Sequence, residues 1–489
     1  MRARSAHVGH GAAPGPPSGH AGAAPAYRLP LALLLSGLLL SVLLARAPWL
    51  AMGTMVGGGL IVLILLRPIW VLTALLFIGP IDLAFLTGGE KTLFENVGGL
   101  DMNGIRLMAV VGGFGLLALI DRGIGRAATG RYGRWYLVFV AWAILTLAYS
   151  WVPLDGVRLL LKLLYPFLLF VVVLGGIRER RQLDRLGDAI FIGAALITIL
   201  LNPLYMLGGG FVHDQVLGVR VGGVGIYAAA WSFYLLIMLI ASLVRFSTRG
   251  QLRYLALAAV CVFWIVLALS RTALLAGMAA LALLALHSAV VRRDYRLMGA
   301  VVGIGVVLGA ILLPAFLQKT FGHVVPTPGE LLALARDPVS LFERVRLSGR
   351  EIFWPIIFLY FLGSPIIGLG LGTTTFIMET RLPAEAGGVV HNEYLRLATE
   401  TGLIGLALFA VAVIAWARGV ARASLRPEPW VSEWSLAAIG ALAVWAVTAV
   451  ADNSIDYYAP VSQFVAVLAA GAIWAARHAS RNDRPEVTQ

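Results

Sequence analysis

The chain has one cysteine, Cys261, in 489 residues, which excludes a disulfide framework and a cysteine-based metal site. Charge is also scarce. Charged residues make up 13% of the chain and hydrophobic ones 60%, whereas soluble domains carry about 25% charged residues. The shortage excludes an ordinary soluble globule and implies a polytopic membrane protein. Acidic residues are the scarcer sign, 25 against 38 Lys and Arg, for a formal net charge of +13. In a soluble protein that balance would suggest a nucleic-acid partner, but here the charge is distributed as a topology signal.

Fourteen apolar runs are long enough to cross a membrane of about 30 Å: 29–44, 50–66, 69–87, 104–120, 135–152, 157–175, 187–208, 224–244, 255–269, 273–290, 297–317, 402–417, 434–451 and 460–476. The first two are joined by only Ala45–Trp49, so the expectation is about 12–14 transmembrane helices in an all-α protein. Residues 1–28, rich in Ala, Gly, Pro and His, read as a disordered tail. Arg28 followed by an apolar run resembles a signal peptide, but the many later spans favour an uncleaved first anchor. The remaining divisions are a bundle at 29–317, a polar interval at 318–401, further spans at 402–476 and a tail at 477–489.

Lys and Arg orient the bundle, because loops kept in the cytoplasm are enriched in them. With a cytoplasmic N-terminus, every short inside loop is basic, for example Arg122–Arg134, Arg178–Arg185, Arg292–Arg296 and Arg418–Arg426. Both termini then lie in the cytoplasm and 318–401 lies on the far side. Within that interval the apolar stretch Ile352–Leu371, broken by Gly363-Ser364-Pro365 and Gly368-Leu369-Gly370, reads as short membrane-hugging helices. A true span there would reverse everything after it and put a basic loop outside.

Charges placed within spans or at their outer ends are costly in hydrocarbon and mark candidate sites. Arg106 and Asp82, Arg158 and Lys162 on one helical face, Arg220 after His213-Asp214, and Arg271 after Ser270 all fall toward the outer side. Singly, each suits a snorkelling side chain or a structural ion pair. Together they suit a phosphate ligand, since Arg binds phosphate in a planar, bidentate way. Late in the polar interval comes HNEYLRLATETGLIG: His391-Asn392, nine residues, then Gly402-x-x-Gly405. It is either a loop and helix start with packing glycines, or polar chemistry at a water–membrane boundary.

These features resemble the O-antigen ligase and polymerase superfamily of bacterial envelope membrane proteins. The match rests on His391-Asn392-x9-Gly402-x-x-Gly405, on Ser270-Arg271, on Ser348-Gly349-Arg350 with Gly368-Leu369-Gly370, and more loosely on Arg220. It covers about 200–410. The resemblance implies a GT-C-like helical enzyme of the bacterial inner membrane, with 318–401 as one large periplasmic loop. It implies an inverting, metal-independent transfer without a cofactor, from undecaprenyl-pyrophosphate-linked glycan to lipid A–core (a ligase) or to a second lipid-linked glycan (a polymerase of O-antigen, capsule or exopolysaccharide). Under that reading Arg220, Arg271 and Arg350 stabilise the leaving pyrophosphate and Arg158 and Lys162 add to substrate binding. His391 positions or deprotonates the acceptor and Asn392 orients it or binds sugar, with Glu393 and Glu400 as other candidate bases. No DxD occupies the first outside loop, and one His with scattered carboxylates is no metal-ligand pattern. A transporter or flippase of lipid-linked sugars is the rival from another class. It calls for internal repeats and midplane polar groups, whereas no repeat is visible and the misplaced charges gather on one side.

Overall fold

The computed structural model describes residues 48–81, 102–214, 218–321, 349–382 and 389–482, with scattered positions between 326 and 345. The tail 1–28, the run 29–44 and Asp82 lie outside the described residues. The chain divides into two units, Met1–Val56 and Gly57–Gln489. Among the described residues the first contributes the opening turns of the helix Pro48–Leu66, and every later element belongs to the second.

The protein is an all-helical polytopic membrane protein. Among the described residues, nine helices are long and apolar enough to span a bilayer, and four shorter apolar helices join them: Met55–Leu66, Pro68–Ile78, Arg134–Leu147 and Leu252–Ala268. Helices are the expected solution because each satisfies its own backbone where no water can. Starts are set by local chemistry. Pro68, Pro153 and Pro429 sit in the first turn, where a missing N–H costs nothing. Asp121 and Ser270 cap other helices by accepting from backbone N–H groups. One departure from helix is a short antiparallel hairpin, Phe211–Asp214 with Gly218–Val221.

Two helices form the centre. The spans Ala228–Arg249 and Tyr458–Ala479 are each 89% buried, whereas Tyr295–Phe321 is 17% buried and presents its apolar surface outward. Aromatic stacking ties the middle of the bundle, with Trp416 against Phe170 at 4.1 Å and Tyr136 against Phe167 at 4.8 Å.

The two ends differ in chemistry. At one, Arg245 is 1% exposed. It donates to Glu433 and to Asp188 (2.9 Å), and Arg249 also binds Glu433 (2.8 Å). Arg292 caps the carbonyls of Ser424 and Arg426 at the same end. Arg245, Arg249 and Arg292 serve structure at this end.

At the other end lie the loop 452–457, the starts of the helices Met102–Ile120, Pro153–Gly176 and Arg350–Gly363, and the start of the kinked helix Glu393–Ser424. The helix Arg350–Gly363 has 14 residues, about 21 Å at 1.5 Å per residue. That is shorter than the thickness of a bilayer core. The chain turns back through Gly368, Gly370 and Gly372, all with positive φ, into the helix Thr373–Arg381.

That turn docks on the kink in the Glu393–Ser424 helix. Gly402 breaks the helix at φ 68°, ψ −177°, which frees backbone groups on both sides. Segment 365–370 takes them up. Leu369 and Gly370 N–H donate to the Thr399 and Glu400 carbonyls, and Leu403 and Ile404 N–H donate to the Pro365 and Ile366 carbonyls, at 2.9–3.3 Å. The approach leaves no room for side chains. A Cβ on Gly402 would lie 2.1 Å from the Ile366 carbonyl oxygen, and one on Gly368 would lie 2.5 Å from the Glu400 backbone.

Candidate active site

His391 holds the end of an extended approach to the helix Glu393–Ser424. Asn392 caps that helix, its Oδ1 accepting from the Leu395 N–H at 2.9 Å. The cap forces a sharp change of direction, and His391 takes it with φ 52°, a left-handed conformation uncommon outside glycine. The energy for holding it comes from the loop after the Pro429–Ala451 helix. Asn453 accepts the His391 backbone N–H through Oδ1 at 2.9 Å. Its Nδ2 lies 3.0 Å from His391 Nδ1. The orienting amide is therefore Asn453, while the side-chain oxygen of Asn392 is committed to the helix.

Asp452 completes the cluster. Its Oδ1 is 3.5 Å from His391 Nδ1 and accepts from the Tyr457 hydroxyl and the Asn453 N–H, both at 2.9 Å. Burial and the Asp452 carboxylate push the Tyr457 hydroxyl well above its ordinary value, so it stays a donor. The imidazole thus faces two different partners. When Asn453 donates to Nδ1, the neutral ring carries its proton on Nε2. When Nδ1 is protonated, Asp452 is the acceptor and Nε2 is left with a lone pair.

Arg350 reaches the same loop. It opens its helix after Gly349 (φ 86°), and its Nη2 donates to the Ala451 carbonyl at 2.8 Å. Burial pulls its guanidinium below the ordinary value, against the opposing pull of Asp452 and Tyr457. It remains a cation in any case.

Beside this cluster is a cavity of about 510 Å³ lined by Arg106, Arg158, Lys162, Asp456, Tyr457 and Tyr227, among others. Its size is that of a small-molecule site. Arg158 and Lys162, four apart on one helix face, both line it as their spacing implied. Arg158 pairs with Asp155 at 2.9 Å and is largely exposed. Lys162 donates to Asp456 at 2.6 Å, and Asp456 also accepts from Arg396 at 2.9 Å. Burial alone would raise the Asp456 carboxyl, but the Arg396 and Lys162 cations hold it well below the usual carboxylate range. Arg106 differs from both. It is 8% exposed, and its Nε and Nη1 are buried without a hydrogen-bond partner among the described residues. The cavity is therefore lined by a cation two of whose donors have no hydrogen-bond partner among the described residues.

Other expected residues fall elsewhere or into structural work. Arg271 begins the helix Arg271–His287, donates to the Lys319 carbonyl at 3.2 Å and lines a small crevice with Leu312 and Phe316; it is not among the residues lining the large cavity. Arg220 lies on the second strand of the hairpin opposite Val212, and its side chain lies outside the described residues. Glu400 accepts from the Gly372 and Thr374 N–H groups and the Thr374 hydroxyl, with Arg396 at 3.6 Å. Glu393 accepts from the Ile455 N–H at 2.9 Å. Both carboxylates anchor loops. Gly402 and Gly405 serve packing. A Cβ on Gly405 would crowd Thr401 and approach Trp142, whose indole N–H donates to the Thr401 carbonyl at 2.8 Å.

Sequence reasoning missed Asp452, Asn453 and Asp456. A signal existed: Asp452-Asn453-Ser454-Ile455-Asp456 puts two carboxylates and an amide into one short turn between apolar runs. Among the described residues no group of three or more His, Cys, Asp or Glu is arranged to hold a metal ion.

Residues 255–410 match the family model described as O-antigen ligase. The match takes in Ser270-Arg271, Arg350, Gly368 and Gly370, His391-Asn392, Gly402 and Gly405. Arg106, Arg158, Lys162 and the loop 452–457 lie outside it. No curated protein matches the chain.

Proposed function

We propose, for a chain that belongs to the O-antigen ligase and polymerase superfamily by its residues 255–410, an inverting and metal-independent glycosyl transfer at the periplasmic face of the inner membrane. The donor is a glycan on undecaprenyl pyrophosphate and the acceptor is lipid A–core. The observation that carries this reading is the meeting of His391 with Asp452 and Asn453 beside a cavity lined by Arg106, whose Nε and Nη1 have no hydrogen-bond partner among the described residues.

In this mechanism the acceptor hydroxyl oxygen attacks the anomeric carbon. The bond from that carbon to the pyrophosphate oxygen breaks, and undecaprenyl pyrophosphate leaves with the electron pair. The cavity cations, Arg106 foremost with Arg158 and Lys162, stabilise the growing charge, as fixed donors at a poorly hydrated site do strongly. Arg350 holds the loop that carries Asp452 and adds to the positive field. His391 positions the hydroxyl and takes its proton on Nε2. That use needs the ring proton on Nδ1, where Asp452 accepts it and then stabilises the imidazolium. Arg271, which opens its helix at a separate small crevice, is assigned to the acceptor or the glycan and not to the pyrophosphate.

The test is reconstitution. Full-length protein in liposomes receives an undecaprenyl-pyrophosphate-linked glycan, with or without lipid A–core, in EDTA, with His391→Ala as control. Transfer to lipid A–core that His391→Ala abolishes is the expected result. A ladder of longer lipid-linked chains without lipid A–core would replace the ligase reading with a polymerase. Absence of any glycosyl transfer with the native glycan would overturn the enzyme reading in favour of transport.

A further inference from the structure

Three tyrosines line the large cavity, and two are tied into the protein. Tyr457 donates to Asp452, and Tyr458 packs edge-on against Tyr165 with ring centroids 5.0 Å apart. Tyr227 is different. The residue is 77% exposed, and its side chain makes no hydrogen bond or ring contact among the described residues. An aromatic ring left open at the edge of a cation-lined cavity has a face available to a ligand.

The backbone that presents it is hydrogen-bonded on both sides. Tyr227 stands immediately before the helix Ala228–Arg249, and its carbonyl accepts the Trp231 N–H at 3.0 Å. Ahead of it, Gly223 and Ile226 exchange backbone hydrogen bonds at 3.1 and 3.2 Å, closing a tight turn through Gly225 at φ 72°. Gly223 lies against the Trp231 ring so closely that a Cβ would come within 2.6 Å. The helix that Tyr227 precedes is the most buried in the bundle together with Tyr458–Ala479. Such support is what a recognition residue requires, because an aromatic ring contributes large contact area at little conformational cost when its anchor does not move.

The chemistry of the lining says what the ring meets. Arg106, Arg158 and Lys162 supply an anion site, so a ligand seated there places its next group at the edge. Sugar rings present apolar C–H faces beside polar edges, and an aromatic face with nearby hydrogen-bonding groups matches both. Resting on the glycosyltransferase reading, we infer that Tyr227 is a positioning residue for the donor, stacking on the sugar attached to the pyrophosphate and so selecting a glycosylated carrier over the bare one.

The experiment uses full-length protein in nanodiscs and two probes: undecaprenyl pyrophosphate, and undecaprenyl pyrophosphate bearing a single N-acetylhexosamine. Tyr227→Ala is expected to weaken binding of the sugar-bearing probe about tenfold, the scale of one lost stacking contact, and to leave bare undecaprenyl pyrophosphate unchanged. Tyr227→Trp, which keeps a ring, is expected to retain preference for the sugar-bearing probe. An equal change for both probes would mean that Tyr227 only supports the cavity or sits in an interfacial belt, and would overturn the inference while leaving the transferase reading intact. No change for either probe would also overturn it. Failure of the unaltered protein to bind either probe would remove the transferase reading and this inference with it.

Discussion

Gly402 lies directly beneath the backbone of Ile366. The left-handed break at Gly402 and the return turn around Ile366 fit only because no side chain stands between them. Two glycine motifs distant in sequence, Gly368-Leu369-Gly370 and Gly402-x-x-Gly405, are thereby one feature: a helix kink and the segment that satisfies it. The kink sits within the helix whose start carries Asn392 and whose approach carries His391. Gly402→Ala is therefore expected to act on stability first. Left-handed strain alone costs about 1–3 kcal/mol, and the clash with Ile366 adds to it. Thermal unfolding of the purified protein should show a clearly lowered Tm. An unchanged Tm would contradict the fit of kink and turn.

Asp452 and Asn453 compete for one nitrogen of His391, so their substitutions should separate. Asp452→Asn removes the negative charge that stabilises the imidazolium and is expected to lower the transfer rate by about 10²-fold or more, the usual worth of a positioned base. Asn453→Ala leaves Asp452 in place but releases the His391 backbone, and is expected to cost less in rate. Steady-state kinetics of both variants check the order. A larger effect at Asn453 would shift the role of His391 from taking the proton to holding the acceptor.

Arg106 is a buried cation whose Nε and Nη1 the fold leaves without partners among the described residues. Such a group weakens the empty protein, since an unsatisfied buried donor costs about 1–3 kcal/mol and more when charged. Arg106→Met should thus raise Tm while sharply raising the KM for the donor. Stability and activity moving in opposite directions is the signature of a residue kept for its ligand. A variant that loses both would mark Arg106 as structural.

Asp456 should behave in the opposite sense. Its carboxyl is depressed in the folded state by Arg396 and Lys162, so its contribution to stability is present above the unfolded value of about 4. It is lost only as pH falls through the lower, native value. The Tm difference between the natural protein and Asp456→Asn is expected to be constant from about pH 5 to 8 and to shrink only in stronger acid. Tm measured across that range checks it. A difference that vanished near neutrality would show that the Lys162–Asp456–Arg396 chain does not hold the cluster together.

Composition and charge alone established a polytopic helical membrane protein, because spans must be long, apolar and self-bonded and because Lys and Arg concentrate in the loops of one side. Spacing alone put Arg158 and Lys162 on one face, since residues four apart on a helix are neighbours. The His391 motif stood out because it closes the one long polar interval just before an apolar run. What decided the candidate site was tertiary. Asp452 and Asn453 come from a turn about sixty residues beyond His391, and no local rule links the start of one helix to the end of the next. Tertiary packing also separated cations of identical type. Arg245, Arg350 and Arg106 look alike as letters in apolar surroundings. Folding gives the first two bonds to Glu433, Asp188 and Ala451, and leaves the Nε and Nη1 of the third without partners among the described residues. A charge in a membrane helix is costly wherever it occurs. Whether that cost is met inside the protein or held open for a ligand depends on which neighbours the fold brings within hydrogen-bond distance.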